Sequence, residues 1–208
     1  MVTRSAGRRR TSTAAALVAV ALAAGGCSSS DSSTPDAAPT TGGSRAGAAP
    51  AVASKVTLGQ VAGTIRGSYR KVFVSDHRKH VLSQVGHAVD TWIDGGFVGV
   101  DYPTRSFAKA FVAFTDPAAH DAEHQQKLMT NWPLGQRIDG VEVKRRTVTV
   151  DVLAPRGRPA GATARVDLVF DTTGDTTKRV SVRGRLFLVP AAPGKWRIFG
   201  YDVSKGAK

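Results

Sequence analysis

The hydrophobic pattern takes four successive forms along the chain. Residues 14–24, AAALVAVALAA, are apolar without interruption. Residues 28–54, SSSDSSTPDAAPTTGGSRAGAAPAVAS, show no period and contain no aromatic side chain. Beyond Ser75, apolar residues recur at three- and four-residue steps: Val81, Leu82, Val85, Ala88, Val89, Trp92 and Ile93. From Ile138 onward the step falls to two. Steps of three and four line one face of a helix, and steps of two line one face of a strand. The pattern therefore predicts an α+β domain, with helices first and sheet second.

Local signals fix the expected elements. VTLGQVAGTI, residues 56–65, carries Val and Thr that favour a strand and two glycines that disfavour a helix. Ser75 can cap the long helix, and DGG at 94–96 and DYP at 101–103 predict its end. A short helix is expected around Ser106–Phe114. Asp116 followed by Pro117 reads as an N-cap with proline at the first helical position, opening a helix to about Met129.

In VEVKRRTVTVDVL, Val141 and Val143 fall on odd positions, whereas Val148, Val150 and Val152 fall on even ones. A one-residue slip flips the faces of a strand, so a bulge is expected near Arg145–Thr147. Ala164, Val166, Leu168 and Phe170 share one side of the next strand. Val180, Val182, Leu186 and Leu188 point inward from the strand after it, with Arg179, Arg183 and Arg185 on its other face. APGK turns the chain into a last strand with Trp196 and Ile198 inward. The expectation is a long N-terminal helix and short helices packed on a curved antiparallel sheet of about four strands, a meander with Gly- and Pro-containing turns.

The first apolar run has a distinctive setting. Arg4, Arg8, Arg9 and Arg10 precede it with no acid, and small residues lead from it into Cys27, the only cysteine. A membrane span needs about 20 apolar residues, so a run of this length reads as the core of a signal peptide. A cysteine at that junction resembles the lipobox of bacterial lipoproteins, although Ala24 stands where that family usually has Leu. The resemblance implies a diacylglyceryl group on the Cys27 thiol and cleavage just before it. It also implies a mature protein on the cell membrane at its extracytoplasmic face. An unpaired thiol is a liability in an oxidising compartment, and lipidation removes it. The expected organisation is a signal peptide over 1–26, the lipidated cysteine and a linker over 27–54, and an α+β domain over 55–208. The linker composition buries too little apolar surface to order itself, and its root-mean-square span is roughly 30 Å.

Charge narrows the partners. The chain carries +13, of which residues 1–10 hold +4 and the linker −1, leaving +10 on residues 55–208. An exported basic domain attracts anionic lipid, wall polymer or an acidic envelope protein. The export signal and the lack of any nucleic-acid motif exclude nucleic acid.

The order of elements, a long helix, short helices and then a curved sheet, resembles the nuclear transport factor 2-like fold. The linker behind the lipobox and the runs GFVGVDYPTRSFAKAFVAFT and GRLFLVPAAPGKWRIFGYDV are similar to actinobacterial envelope proteins, including the Mce-associated group. That resemblance implies a cone-shaped domain, often with a pocket, beside lipid-import complexes. A lipid anchor departs from the transmembrane helix usual in that group.

Three constellations could carry chemistry. HDAEH, residues 120–124, fits H-x-x-E-H, in which two histidines share a helix face as zinc ligands and Glu123 is the base. A further acidic ligand on a later helix is required, and the only other glutamate, Glu142, lies on a predicted strand. HDAEH therefore reads as a solvated face, and no metal or other cofactor is expected. His80, Gln84, His87 and Asp94 lie on the polar side of the long helix, where a cone-shaped fold could place a pocket. His87, Asp90 or Asp94 would then be the base of a pocket enzyme. Lys144, Arg146, Arg179, Arg183, Arg185 and Arg197 are expected on the outer sheet face as a patch for phosphate or carboxylate, with Asp167 among them. Serine-nucleophile, P-loop, dinucleotide and paired-cysteine signatures are absent. The leading expectation is a non-enzymatic, lipid-anchored module that binds a ligand or accompanies a complex. The alternatives are a pocket enzyme of that fold and a basic module adhering to anionic membrane or wall polymer.

Overall fold

A computed structural model describes residues 52–62 and 78–208. The expected signal peptide, Cys27, most of the expected linker and the expected Ser75 cap lie outside the described residues. The rest confirms the α+β class, with one mixed five-stranded sheet.

The strands are β1 (Lys55–Ala62), β2 (Gly140–Leu153), β3 (Gly161–Thr173), β4 (Arg179–Ala192) and β5 (Lys195–Ala207). Their spatial order is their sequence order. β2 to β5 form the expected antiparallel meander. The correction is β1, which adds a fifth strand parallel to β2, with Lys55 opposite Thr147 and Ala62 opposite Leu153. Alternation alone could not reveal that pairing, because parallel neighbours are separated by a crossover. β1 is irregular between Leu58 and Val61. There Asp151 Oδ1 accepts from Gln60 N at 2.7 Å. A Cβ on Gly59 would stand 2.3 Å from that carboxylate oxygen, so a side chain here would push the Asp151 carboxylate aside.

The helices cover the inner face. α1 (Arg78–Ile93) buries Val81, Val85, Ala88, Val89, Trp92 and Ile93, as its period predicted. It packs against β1, β2, β3 and β5. The glycines after it do not stop the helix at once. Residues Asp94–Val98 continue as a widened π-turn, closed by Gly99 N donating to Asp94 O at 2.9 Å. Gly95 permits this, because a Cβ there would lie 2.5 Å from Ala110 N in the neighbouring 3-10 turn, Ala108–Phe111. That 3-10 turn replaces the short helix expected around Ser106–Phe114. The next helix breaks at Gln125 into α2 (Asp116–His124) and α3 (Gln126–Met129). Asp116 is its first helical residue, and the N-cap position falls to Thr115.

Trp92, Phe97, Phe114, Phe170, Leu168, Leu186 and Leu188 are fully buried between the layers. The Trp92 and Phe97 rings meet edge to face at 5.5 Å. The free side of β5 is partly covered, since Ile198 exchanges backbone hydrogen bonds with Ala113 and Thr115. Such cover blunts an edge that would otherwise template another strand.

Gly95→Ala should destabilise the domain by about 1–3 kcal/mol, the usual cost of overpacking, and lower Tm by several degrees. Gly206→Ala is the control, because its Cβ would meet only Ser181 Oγ at 3.7 Å. Thermal unfolding of both variants checks this, and equal midpoints would contradict the close packing at Gly95.

Candidate functional site

The bulge in β2 falls at Lys144, one residue before the expected stretch. Val143 pairs with Phe170 and Arg145 with Val169, which leaves Lys144 unmatched. The slip turns the next even-numbered positions inward, so Arg146 faces the core with Val148, Val150 and Val152. The expected place of Arg146 on the outer patch is therefore corrected. Only 2 % of its side chain is exposed.

A buried guanidinium needs partners for its donors. Arg146 Nη2 donates to Asp90 Oδ1 at 2.6 Å, and Nη1 to Asp94 Oδ1 at 2.5 Å. Nε donates to Ser54 Oγ at 2.9 Å. Asp90 and Asp94 are one helical turn apart, so they present two carboxylates on one side of α1. The fork neutralises one of these charges and leaves a local excess of one negative charge. It occupies both carboxylates that the pocket-enzyme reading would use as base.

The other pocket candidates do not gather around it. His80 and Asp94 are fourteen positions apart on the helix and its π-turn, which is about 20 Å along the axis. His87 is exposed. Gln84 Oε1 accepts from Trp196 Nε1 at 3.2 Å, which orients the amide so that its Nε2 donates to His80 Nε2 at 2.5 Å. Gln84 thus ties α1 to β5 near the β4–β5 turn.

The outer face is a ladder of mixed sign. Arg179 binds Asp171 through two hydrogen bonds at 2.8 and 2.9 Å. Arg183 meets Asp167 at 3.1 Å and Arg185 meets Asp202 at 2.6 Å. Lys144 pairs with Glu142 at 2.5 Å and lies 3.8 Å from Asp171. Arg197 donates to Phe114 O and lies 3.3 Å from Asp116. Two arginines not singled out in the sequence join the ladder, Arg145 with Asp167 and Arg165 with Asp151. The Arg179 guanidinium holds the Asp171 carboxyl below the usual carboxylate range. These are exposed pairs, screened by solvent, and each contributes little to stability.

His120 and His124 approach each other with Nε2 atoms 3.2 Å apart on the exposed side of α2. No group of three or more potential metal ligands occurs among the described residues. Glu142 is engaged with Lys144 on β2.

A polar node at the end of α3 escaped the sequence reading. Lys205 Nζ donates to the carbonyls of Lys127 and Thr130 and sits 5.9 Å from the centre of the Phe97 ring. Burial pushes its pKa down to about 8. Trp92 Nε1 donates to Met129 O at 3.0 Å, so side chains serve three carbonyls of this short segment. Beside them Tyr102 donates to Phe97 O at 2.6 Å and accepts from Asn131 Nδ2 at 3.3 Å. Burial raises the Tyr102 pKa. Asn131 Oδ1 and Tyr201 Oη are buried without a partner among the described residues. Lys205 follows a run of alternating residues near the chain end, and nothing in the sequence links it to Thr130.

No family model matches this chain, and neither a curated protein nor a solved structure matches it.

Two predictions follow from this geometry. Arg146→Ala leaves two carboxylates facing each other against the core and should cost about 3 kcal/mol or more; Arg146→Lys, which lacks the fork, should recover only part. Urea unfolding of the three proteins checks the order. Lys205 has a folded pKa below its unfolded value, so the unfolded chain binds more protons between about pH 8 and the ordinary lysine value of 10.5. Stability should therefore gain from this group as pH rises through that window. The gain should be missing in Lys205→Met, and the difference between the two proteins' unfolding free energies at pH 7.5 and pH 10 measures it.

Proposed function

We propose that this protein is a lipid-anchored extracytoplasmic envelope protein whose α+β domain is a non-enzymatic interaction module. The observation that carries this reading is the order of segments: a basic stretch, a short apolar run, Cys27, a Ser/Pro/Ala-rich tether and then a domain with a core of its own. Two acyl chains on one cysteine hold a protein stably at a membrane, whereas one holds it marginally. A long helix laid across one face of a sheet supports assignment to the nuclear transport factor 2-like type, and the Mce-associated envelope proteins are the proposed relatives.

The interior favours contacts at the surface over a reaction inside. Between α1 and the sheet, the space is occupied by Trp92, Phe97, Phe170, Leu168 and Leu186, all fully buried. Asp90 and Asp94, the candidate bases, are committed to Arg146. Partners of the module are membrane lipid through Cys27 and an anionic lipid or envelope protein at its surface.

The test is metabolic labelling with an alkynyl fatty acid in a bacterium that processes lipoproteins. The mature chain should begin at Cys27, carry the label and fractionate with membranes. Cys27→Ala should lose the label and keep the leader. A mature protein lacking the label, or one cleaved elsewhere, would overturn the anchor.

A further inference from the structure

We infer that one end of the sheet is a docking surface for an anionic bilayer. β2 runs into β3 through Pro155–Gly157, and β4 turns into β5 at Pro193-Gly194. The registers Leu153 opposite Gly161, Ala162 opposite Leu188 and Ala192 opposite Lys195 bring both connections to the same end. That end carries Arg156, Arg158 and Lys195, all exposed. None of them forms an ion pair among the described residues. Residues 152–166 and 186–201 contain no Asp or Glu. The contrast with the middle of the same face is sharp, because each arginine of the ladder faces a carboxylate there.

Exposed apolar side chains lie toward the same end of the sheet. Leu153 is 51 % exposed and Phe199 is 52 % exposed, both on the outer face near this end. Phe199 is the extra residue between the pairs Phe187–Gly200 and Leu188–Ile198. The bulge aims it outward, with its ring 6.3 Å from the Phe187 ring. Val189 lies half-buried in the next row. Exposed Phe and Leu at the same end as unpaired cations suit the boundary of an anionic bilayer, where the cations meet headgroups and the apolar tips enter the acyl boundary. The composition of residues 28–54 implies a span of roughly 30 Å, enough for the domain to lie on the membrane that holds its anchor. The inference thus rests on the anchor reading for the identity of its surface, but the contact itself involves no part of the anchor.

The experiment uses residues 28–208, which keep every described core residue and lack Cys27, so loss of binding cannot be a failure of lipidation. The probes are phosphatidylcholine vesicles, pure or with about one third phosphatidylglycerol, in a sedimentation assay. Binding should require phosphatidylglycerol and fall as salt shortens the Debye length. Each cation near such a surface is worth about fivefold in affinity, so Arg156→Gln, Arg158→Gln and Lys195→Gln together should weaken binding on the order of 100-fold. Phe199→Ser should weaken it with the charge unchanged. The paired control Arg179→Gln with Asp171→Asn should bind as the parent does. Thermal unfolding midpoints of all variants establish that each is folded. Absence of binding, binding equal on both vesicles, or a triple variant that binds like the parent would overturn the inference. So would capture of an acidic envelope protein that competes with vesicles for the same three cations while holding the surface more tightly, which would make it a protein interface.

Discussion

The Arg146 guanidinium, forked between Asp90 and Asp94, is the contact on which the arrangement of the two layers depends. It joins β2 to α1 and, through Ser54, to the residue just before β1. A cation with 2 % of its side chain exposed cannot remain there unpaired, because desolvation would cost several kcal/mol. Its partners are one helical turn apart, so the fork fixes both the rotation of α1 and its position along the strand. That same rotation sends Val85, Val89 and Trp92 into the sheet. The fork itself exists only because Lys144 is an extra residue in β2. Without the bulge, Arg146 would face outward and Val148, Val150 and Val152 would follow it.

Buried ion clusters are modest contributors to net stability compared with apolar packing of the same volume. Their value lies in discrimination, since a helix shifted by a turn would leave charges unmatched against the core. Here the apolar face of α1 alone would allow sliding, whereas the fork and the Gln84 link to Trp196 hold two points along its length. The polar node around Lys205 adds a third constraint, joining β5 to the end of α3.

The outer face follows a different rule. Arginine and aspartate alternate across neighbouring strands, so the charges of the ladder itself are neutralised locally. Arg156, Arg158 and Lys195, outside any such pair, lie with the exposed Leu153 and Phe199 near the two connections at one end. In the proposed arrangement that end lies against the membrane that holds the lipid anchor. Charge composition is thereby less informative than charge placement, because only unpaired cations attract a distant anionic surface.

The periods of the sequence determined the class of fold and most of the inward set. Val81 to Ile93 on α1, Ala164 to Phe170 on β3, Val180 to Leu188 on β4, and Trp196 with Ile198 are buried as their spacing implies. These follow from local geometry, in which a repeat of 3.6 or 2 puts apolar groups on one side whatever lies opposite. The parity change in β2 also announced a bulge, within one residue of its place. Local pattern cannot count across a bulge, and for that reason Arg146 read as an outer residue. Nor can it see which chain segments become neighbours. The parallel pairing of β1, the aspartates opposite each outer arginine and the carbonyls that hold Lys205 all depend on residues far apart in sequence. Tertiary structure decided these, because register and burial assign each charge its partner only after the layers have closed.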